Sequence, residues 1–269
     1  MEQVQQSPSP YAPSPPPYSS GAVSADGLWT WNGVAWTPSL SRFNAATARA
    51  RVAVAALAVW VVVAIVLIIA LVGRIQLIND LVAGNTGNLS LSDVQASDTF
   101  VRTATWSEVG AYVLSAIAFL VWLHRVVANN FALGERSLRF TPGWAVGWWF
   151  VPIASFVRPF QVMSEAWRAS DPRYVRSTPD TRRHVGIAVI ALWWPVFLLG
   201  NLVARFTIIG GSSDTLDTFH THAVVGIVAV ALELCAAALV TWLILRISRR
   251  QVLKAQAVAE PLPPPVTAL

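Results

Sequence analysis

Four apolar runs decide what this chain of 269 residues can fold into, and they cover about 52–73, 106–124, 184–204 and 222–245. A helix of about 20 apolar residues crosses the roughly 30 Å hydrocarbon core of a bilayer. Charged residues make up 12% of the chain, against about a quarter in soluble domains. We therefore predict an all-α integral membrane protein, a four-span helical bundle that occupies residues 52–250.

Arginines flank these runs and predict their orientation. Of the 19 cations, 16 lie before the first span, between the second and third spans, or after the fourth span. Loops rich in arginine stay on the cytoplasmic side of a membrane. We therefore expect a multi-pass protein of the cell membrane, embedded in the lipid bilayer, with the N-terminus and the C-terminus in the cytoplasm.

The run TPGWAVGWWFVPIASFVRP, residues 141–159, is apolar but contains three prolines and Arg158. A fifth crossing here would reverse the orientation of all later segments and place most cations outside, so we reject it. Thr141-Pro142 is typical of a helix start, and proline interrupts a helix. We predict a broken element over 141–170 on the cytoplasmic side, although the sequence leaves open whether it is re-entrant or interfacial.

The second half of this element is predicted to be an amphipathic helix that begins at Pro159. Gln161, Glu165 and Arg168 follow at helical spacing and form a polar stripe, with an apolar flank opposite. Such a helix is typical of a membrane interface. The broken-helix motif comprises Pro142, Gly147, Pro152, Arg158, Pro159, Glu165 and Trp167.

The run LRFTPGWAVGWWFVPIASFVRPFQVMSEAWRAS (138–170), with the preceding WLHRVVANNFALG, resembles a multi-pass membrane family known as domain of unknown function 4328. The resemblance covers about 100–245 and rests on the pattern G-W…F-V-P…R-P…E-W. It implies a helical membrane domain of bacterial, actinobacterial type. It implies no activity, and therefore no catalytic residue.

The N-terminal region is polar and precedes the first span. Residues 1–27 hold six prolines and too few apolar side chains to offset the entropy of ordering, so we predict a disordered tail. Residues 39–51 are a linker, and residues 251–269 are predicted to be a second disordered tail.

Between the tail and the linker, residues 28–38 (LWTWNGVAWTP) predict a small β-hairpin. Asn32-Gly33 is a strong signal for a two-residue turn, which would pair Trp31 with Val34 and Trp29 with Trp36. The tryptophans then share one face and need a surface to cover it. We expect Trp29, Trp31 and Trp36 to face the membrane interface or a cytoplasmic protein partner, and WNGVAWTP resembles a short Trp-rich bacterial module.

Glu233 lies in the middle of the fourth apolar run, where an ionised carboxylate costs at least about 2.5 kcal/mol and is by default a functional hypothesis. One interpretation is a proton-coupling or cation site, with Arg158 as counter-charge. The other is a hydrogen bond between helices, to Asn201, Ser115 or Tyr112. The polar path that we predict comprises Glu233, Arg158, Asn201, Tyr112 and Glu108.

Glu108 and Tyr112 open a row of residues at helical spacing on the second span. We expect this row to face the interior of the bundle, where helix packing explains it without a ligand. The row consists of Glu108, Tyr112, Ser115, Phe119 and Trp122.

Other site chemistries are weaker. Asp214, Asp217, His220 and His222 carry side chains that bind zinc or copper, but their spacing matches no metal motif, so we predict no metal and no cofactor. No phosphate-binding loop, dinucleotide fingerprint or nucleophile elbow is present in the sequence, and enzyme is the weakest class. The arginines flank apolar runs and form no basic face, which argues against nucleic acid.

Two functions follow. The first is a non-enzymatic scaffold or interaction protein, with its N-terminal tail and hairpin facing cytoplasmic partners and its Arg-rich region 125–183 facing anionic lipid. The alternative is a small transporter or channel component with a polar path near Glu233 and Arg158. Four spans are few for a solitary transporter, so this alternative also implies a homo-oligomer.

Overall fold

The computed structural model describes residues 20–24, 29–33, 36–85, 90–135, 137–172, 182–209 and 215–259. Within them, four helices are long and apolar enough to cross a membrane, which confirms the four-span prediction. The strands are β1 (Trp29–Trp31) and β2 (Trp36–Pro38). The helices are α1 (Thr47–Val82), α2 (Leu91–Ala132), α3 (Pro142–Gly147), α4 (Arg158–Ala169), α5 (Arg182–Ile209) and α6 (Leu216–Ala259).

The four long helices form an arc. Helix α1 packs along both α2 and α6, and α6 packs along α5. Helices α2 and α5 are therefore the two ends of the arc. The short helices fill the space between these ends, because α3 packs against α2 and α4 packs against α5. The broken element thus joins α2 to α5 at one end of the bundle.

The broken element predicted over 141–170 is present, with two helices separated by a break. Helix α3 begins at Pro142, and the side chain of Thr141 accepts a hydrogen bond from the backbone N–H of Trp144. The chain breaks after α3 and forms a short 3₁₀ turn over Ala154–Phe156 before α4 begins. Proline is the second residue of α4, where a missing N–H costs no helical hydrogen bond.

The apolar flank of α4 covers protein rather than lipid. Met163, Ala166 and Trp167 are buried, whereas Arg168 is exposed. The sequence predicted that this flank rests on a membrane interface. Its amphipathic pattern is correct, but the apolar surface packs onto neighbouring helices.

Helix α2 begins with a complete capping box. The Ser90 hydroxyl accepts from the backbone N–H of Asp93, and the Asp93 carboxylate accepts from the backbone N–H of Ser90. Hydrogen bonds from the Ser90 side chain and backbone lower the pKa of this exposed carboxyl.

The end of the last helix differs from the sequence prediction. Helix α6 continues to Ala259, so residues 251–259 are helical although they were predicted to be disordered. These residues stay helical because Gln251 and Lys254 are both buried. The two side chains extend the inward face of α6 by two turns.

The hairpin is present, but its predicted register is wrong. Trp31 pairs with Trp36 and Thr30 pairs with Thr37, so the loop has four residues rather than two. The two indole rings lie 5.7 Å apart. A third segment completes the sheet, because Val23 forms an antiparallel bridge with Thr30. The backbone hydrogen bonds between this third segment and β1, together with the contact between the Trp31 and Trp36 rings, favour the observed register over the two-residue turn.

Candidate intramembrane binding site

A cavity of about 130 Å³ lies inside the arc of helices. All four long helices contribute to its wall, and so does Trp149 from the turn after α3. The wall is aromatic and aliphatic apart from a few polar groups. The lining residues are Leu57, Trp60, Tyr112, Ser115, Ala116, Phe119, Leu120, Trp149, Trp193, Phe197, Glu233, Ala236, Ala237 and Val240.

Glu233 is the only charged residue among the side chains that line the cavity. It lies against Gly200 of α5, where an added Cβ would come within 2.9 Å of the Glu233 Cγ atom. The absence of a side chain at Gly200 therefore lets α5 and α6 approach closely at this level. Among the described residues, none donates a hydrogen bond to the Glu233 carboxyl. The predicted bonds to Asn201, Ser115 or Tyr112 are not formed.

A second acidic residue, Glu108, lies on α2. Its Oε1 atom accepts a hydrogen bond of 2.6 Å from Nε1 of Trp60. Trp60 lies in the interior of the first span. The bond therefore places the Glu108 side chain at the depth of the hydrocarbon core. Trp60 itself lines the cavity together with Glu233. Both acidic side chains therefore belong to the interior of the bundle.

Tyr112 and Asn201 connect the two ends of the arc. The Tyr112 hydroxyl donates to Oδ1 of Asn201 at 3.1 Å, and Nδ2 of Asn201 donates to the carbonyl of Phe197 at 2.9 Å. Tyr112 also packs edge-on against the ring of Trp60. The row on α2 faces inward as predicted, with Ser115, Phe119 and Trp122 buried.

Trp149, which belongs to the broken element, lies in the gap between α2 and α5. Its ring meets Phe119 of α2 edge-on at 5.4 Å and Trp194 of α5 edge-on at 5.7 Å. Trp194 in turn donates from Nε1 to the carbonyl of Phe156 at 2.8 Å. The indole N–H of Trp149 is buried and has no hydrogen-bond partner among the described residues. The broken element thus contributes a wall of the cavity and an unsatisfied donor.

Arg158 does not join this cluster. Its guanidinium donates to Gln161 at 3.1 Å and lies over the rings of Trp148, at 5.1 Å, and Phe140, at 6.0 Å. The predicted pairing of Arg158 with Glu233 is therefore absent. Of the predicted polar path, the structure groups Glu108, Tyr112, Asn201 and Glu233.

The remaining residues of the broken-helix motif shape the element itself. The Glu165 carboxylate accepts hydrogen bonds of 3.0 to 3.2 Å from the backbone N–H groups of Arg139 and Phe140. Trp167 stacks on Trp242 of α6 at 5.7 Å. An added Cβ at Gly147 would come within 3.2 Å of the Trp144 ring. Pro152 is exposed at the break, while Pro159 is buried at the start of α4.

Sequence reasoning missed a second polar cluster at the end of the bundle that holds the broken element. Gln251 donates to Oδ1 of Asn130 at 2.7 Å, and Asn129 donates to Oε1 of Gln251 at 3.1 Å. Lys254, 1% exposed, forms an ion pair with Glu135 and donates to the carbonyl of Ala169 at 2.8 Å. The continuing helical spacing of Ser248, Gln251 and Lys254 was a signal that could have revealed this cluster.

The cluster also reaches the linker that precedes α1. Nδ2 of Asn129 donates to the carbonyl of Asn44 at 2.9 Å. The tryptophans of the hairpin, Trp29, Trp31 and Trp36, are half-buried. The linker therefore connects the Trp-rich sheet to the ends of α2 and α6.

The structure describes only some of the four side chains that were considered as metal ligands. Asp214 lies outside the described residues, and Asp217 lies in α6 without a described side chain. His220 and His222 lie in the first turns of α6. Within the described residues, no three His, Cys, Asp or Glu side chains are grouped as metal ligands.

Comparison with known proteins identifies a family but no function. The family model of a domain of unknown function, DUF4328, matches residues 85–249, which include α2 to α5 and most of α6. No curated protein and no solved structure matches the chain.

Proposed function

Because the chain belongs to the DUF4328 family, whose description carries no function, we propose one from its own geometry: it is a membrane protein that binds a solute in the cavity between its helices, as a component of a transporter or channel. The observation that supports this proposal is the Glu233 carboxyl. It lines an aromatic cavity inside the bundle and has no hydrogen-bond donor among the described residues. Acidic groups at this depth mark substrate and ion pathways.

The arc supports the same proposal. Beside the broken element, the gap between α2 and α5 is crossed by the Tyr112–Asn201 hydrogen bond and by the Trp149 ring. The hydrogen bond contributes about 1 kcal/mol, and each aromatic contact of Trp149 contributes about 0.5–1.5 kcal/mol. A solute that enters between these helices displaces these contacts without unfolding the bundle. We place both termini in the cytoplasm as part of this proposal, on the arginine distribution.

Thiol accessibility at two adjacent positions tests the proposal. Ser115 lines the cavity and is 4% exposed, while its neighbour Leu114 is 66% exposed on the outside of α2. In a Cys235→Ser background, Ser115→Cys and Leu114→Cys are each treated with a small water-soluble thiol reagent in proteoliposomes. We expect the reagent to modify Cys at 115 and to spare Cys at 114, which faces lipid.

The opposite pattern has a clear meaning. If position 115 stays unmodified under conditions that modify a loop cysteine, the cavity is dry and closed, and the solute-binding function is wrong. Matched melting temperatures of the two variants exclude misfolding as the cause.

A scaffold function is the second candidate, and the Trp-rich sheet favours it. This sheet has three paired segments and connects through the linker to α2. Deleting residues 1–38 should then abolish crosslinks to a cytoplasmic partner while leaving the membrane domain folded. An unchanged crosslinking pattern would remove this candidate. A homo-oligomer and a contact of residues 125–183 with anionic lipid stay predictions.

A further inference from the structure

We infer that the cavity binds a small organic cation of the quaternary ammonium class, with Glu233 as its counter-charge and the surrounding rings as its cage. This inference rests on the proposed solute-binding function. It names the chemical class of the solute from the charge, the walls and the size of the site.

The charge balance of the cavity favours a cation. Glu233 lines it, and Glu108 lies one turn before the cavity-lining Tyr112 on α2. No arginine, lysine or histidine is among the lining residues, and Arg158, the predicted counter-charge, contacts other groups. An ionised carboxylate in an apolar site needs a partner charge. Within the described residues, no cationic side chain forms an ion pair with Glu233.

The walls favour a cation with an apolar surface over a bare metal ion. Six of the fourteen lining residues are aromatic. The faces of such rings attract quaternary ammonium groups, and aromatic cages bind them in many proteins. A hard metal cation would instead need several oxygen ligands. Glu233 and the Tyr112 hydroxyl supply few oxygens, and the hydroxyl already donates to Asn201.

The size of the cavity limits the ligand. An apolar cavity of roughly 150 Å³ holds one benzene molecule, and this cavity measures about 130 Å³. A trimethylammonium group fits such a space. The buried N–H of Trp149, which has no acceptor among the described residues, could also bind an oxygen on the same small molecule.

Binding of choline to the full chain tests this inference. The purified protein is placed in nanodiscs of phosphatidylethanolamine and phosphatidylglycerol, which carry no choline, and titrated with radiolabelled choline. The matched probe is 3,3-dimethylbutan-1-ol, in which carbon replaces the charged nitrogen. We expect saturable choline binding that a hundredfold excess of the alcohol does not displace.

Variants assign this binding to the cavity. Glu233→Gln should weaken choline binding by at least about thirtyfold, because it leaves the cation without its charge partner, while Glu233→Asp should retain it. Ala237 lines the cavity and Ala238 is exposed outside it. Ala237→Phe should therefore abolish binding, and Ala238→Phe should not.

Each contrary result has its own meaning. If the alcohol displaces choline, or if Glu233→Gln binds choline normally, the cation inference is wrong and the solute-binding function stands. If choline does not bind although Cys at 115 is accessible, the inference is equally wrong. If Cys at 115 is inaccessible, the proposed function fails as well. The natural ligand could be a free quaternary ammonium compound or the choline headgroup of a lipid. Repeating the titration in phosphatidylcholine nanodiscs distinguishes the two, since weaker binding of choline there means that the lipid headgroup competes for the cavity.

Discussion

A glycine on α5 makes room for the tryptophan that anchors α4. The Trp167 ring lies between the guanidinium of Arg250, at 4.2 Å from its centre, and the stacked ring of Trp242. On α5, Gly186 lies so close that an added Cβ would overlap the indole. Trp167 could be assigned to an apolar flank from helical spacing alone. Its three neighbours could not, because they belong to other helices.

We predict that Gly186→Ala destabilises the protein. The methyl group would displace Trp167 and with it α4, and overpacking of this kind costs about 1–3 kcal/mol. We expect the melting temperature in detergent to fall by several degrees. The measurement is intrinsic tryptophan fluorescence during heating, which also reports the environment of the displaced ring.

Gly110 provides the matched control. It is also a helical glycine, but an added Cβ there would contact nothing within 4 Å. Gly110→Ala should leave the melting temperature unchanged or raise it, because alanine favours a helix by about 1 kcal/mol over glycine. Equal effects of the two substitutions would contradict the packing described around Trp167.

Single residues also show why the site was only half predictable. Glu233 stands out in the sequence because a lone acid in an apolar run is costly. The Trp60–Glu108 hydrogen bond joins residues 48 positions apart and depends on how far α1 and α2 slide past each other. Helical periodicity within one segment carries no information on that offset. Arg158 illustrates the same point. The sequence suggested Glu233 as its partner, whereas in the structure its guanidinium lies over the rings of Trp148 and Phe140.

At the scale of elements, the break between α3 and α4 is a strained turn. Ile153 has a φ of 65° and a ψ of −51°, and the backbone N–H of Ala154 donates to the carbonyl of Pro152 at 2.7 Å. This is a classic γ-turn, a rare and strained conformation. Pro152 predicted a break in this element, but α3 already ends at Gly147. The conformation of the break could not be predicted, because an isoleucine normally avoids positive φ.

We predict that Ile153→Gly is more stable than Ile153→Ala. Both variants lose the same exposed side chain, which is 84% accessible, so they differ mainly in backbone strain. Glycine adopts positive φ without the penalty of about 1–2 kcal/mol that a Cβ atom imposes. The melting temperature of Ile153→Gly should be higher by a few degrees. Equal melting temperatures would show that the turn is not strained.

The hairpin and the end of α6 mark the limits of local rules. Asn32-Gly33 favours a two-residue loop, yet pairing of Trp31 with Trp36 and the third segment at Val23 select a longer one. Residues 251–259 look like a polar tail, yet they stay helical because Gln251 and Lys254 find partners on other elements. In both cases tertiary contacts outweigh local sequence preference.

At the scale of the whole molecule, hydropathy accounts for the four long helices of the fold. The four predicted spans all lie within the long helices. The arc could not be foreseen, because the inward row on α2 does not indicate which helices it faces, and the first and fourth spans are apolar nearly all round. The broken element has a role only in this arrangement: it fills the space between α2 and α5 and contributes Trp149 to the cavity wall.

The sidedness of two loops tests the four-span arrangement, on which the cavity depends. Single cysteines are placed at Ser177, before α5, and at Ser212, between α5 and α6, in a Cys235→Ser background. Intact cells are labelled with a membrane-impermeant thiol reagent, and inverted vesicles serve as the control. We predict labelling at 212 and protection at 177 in cells, with the reverse in vesicles. Labelling at 177 and protection at 212 in cells would mean that residues 142–163 cross the membrane, and would contradict the account.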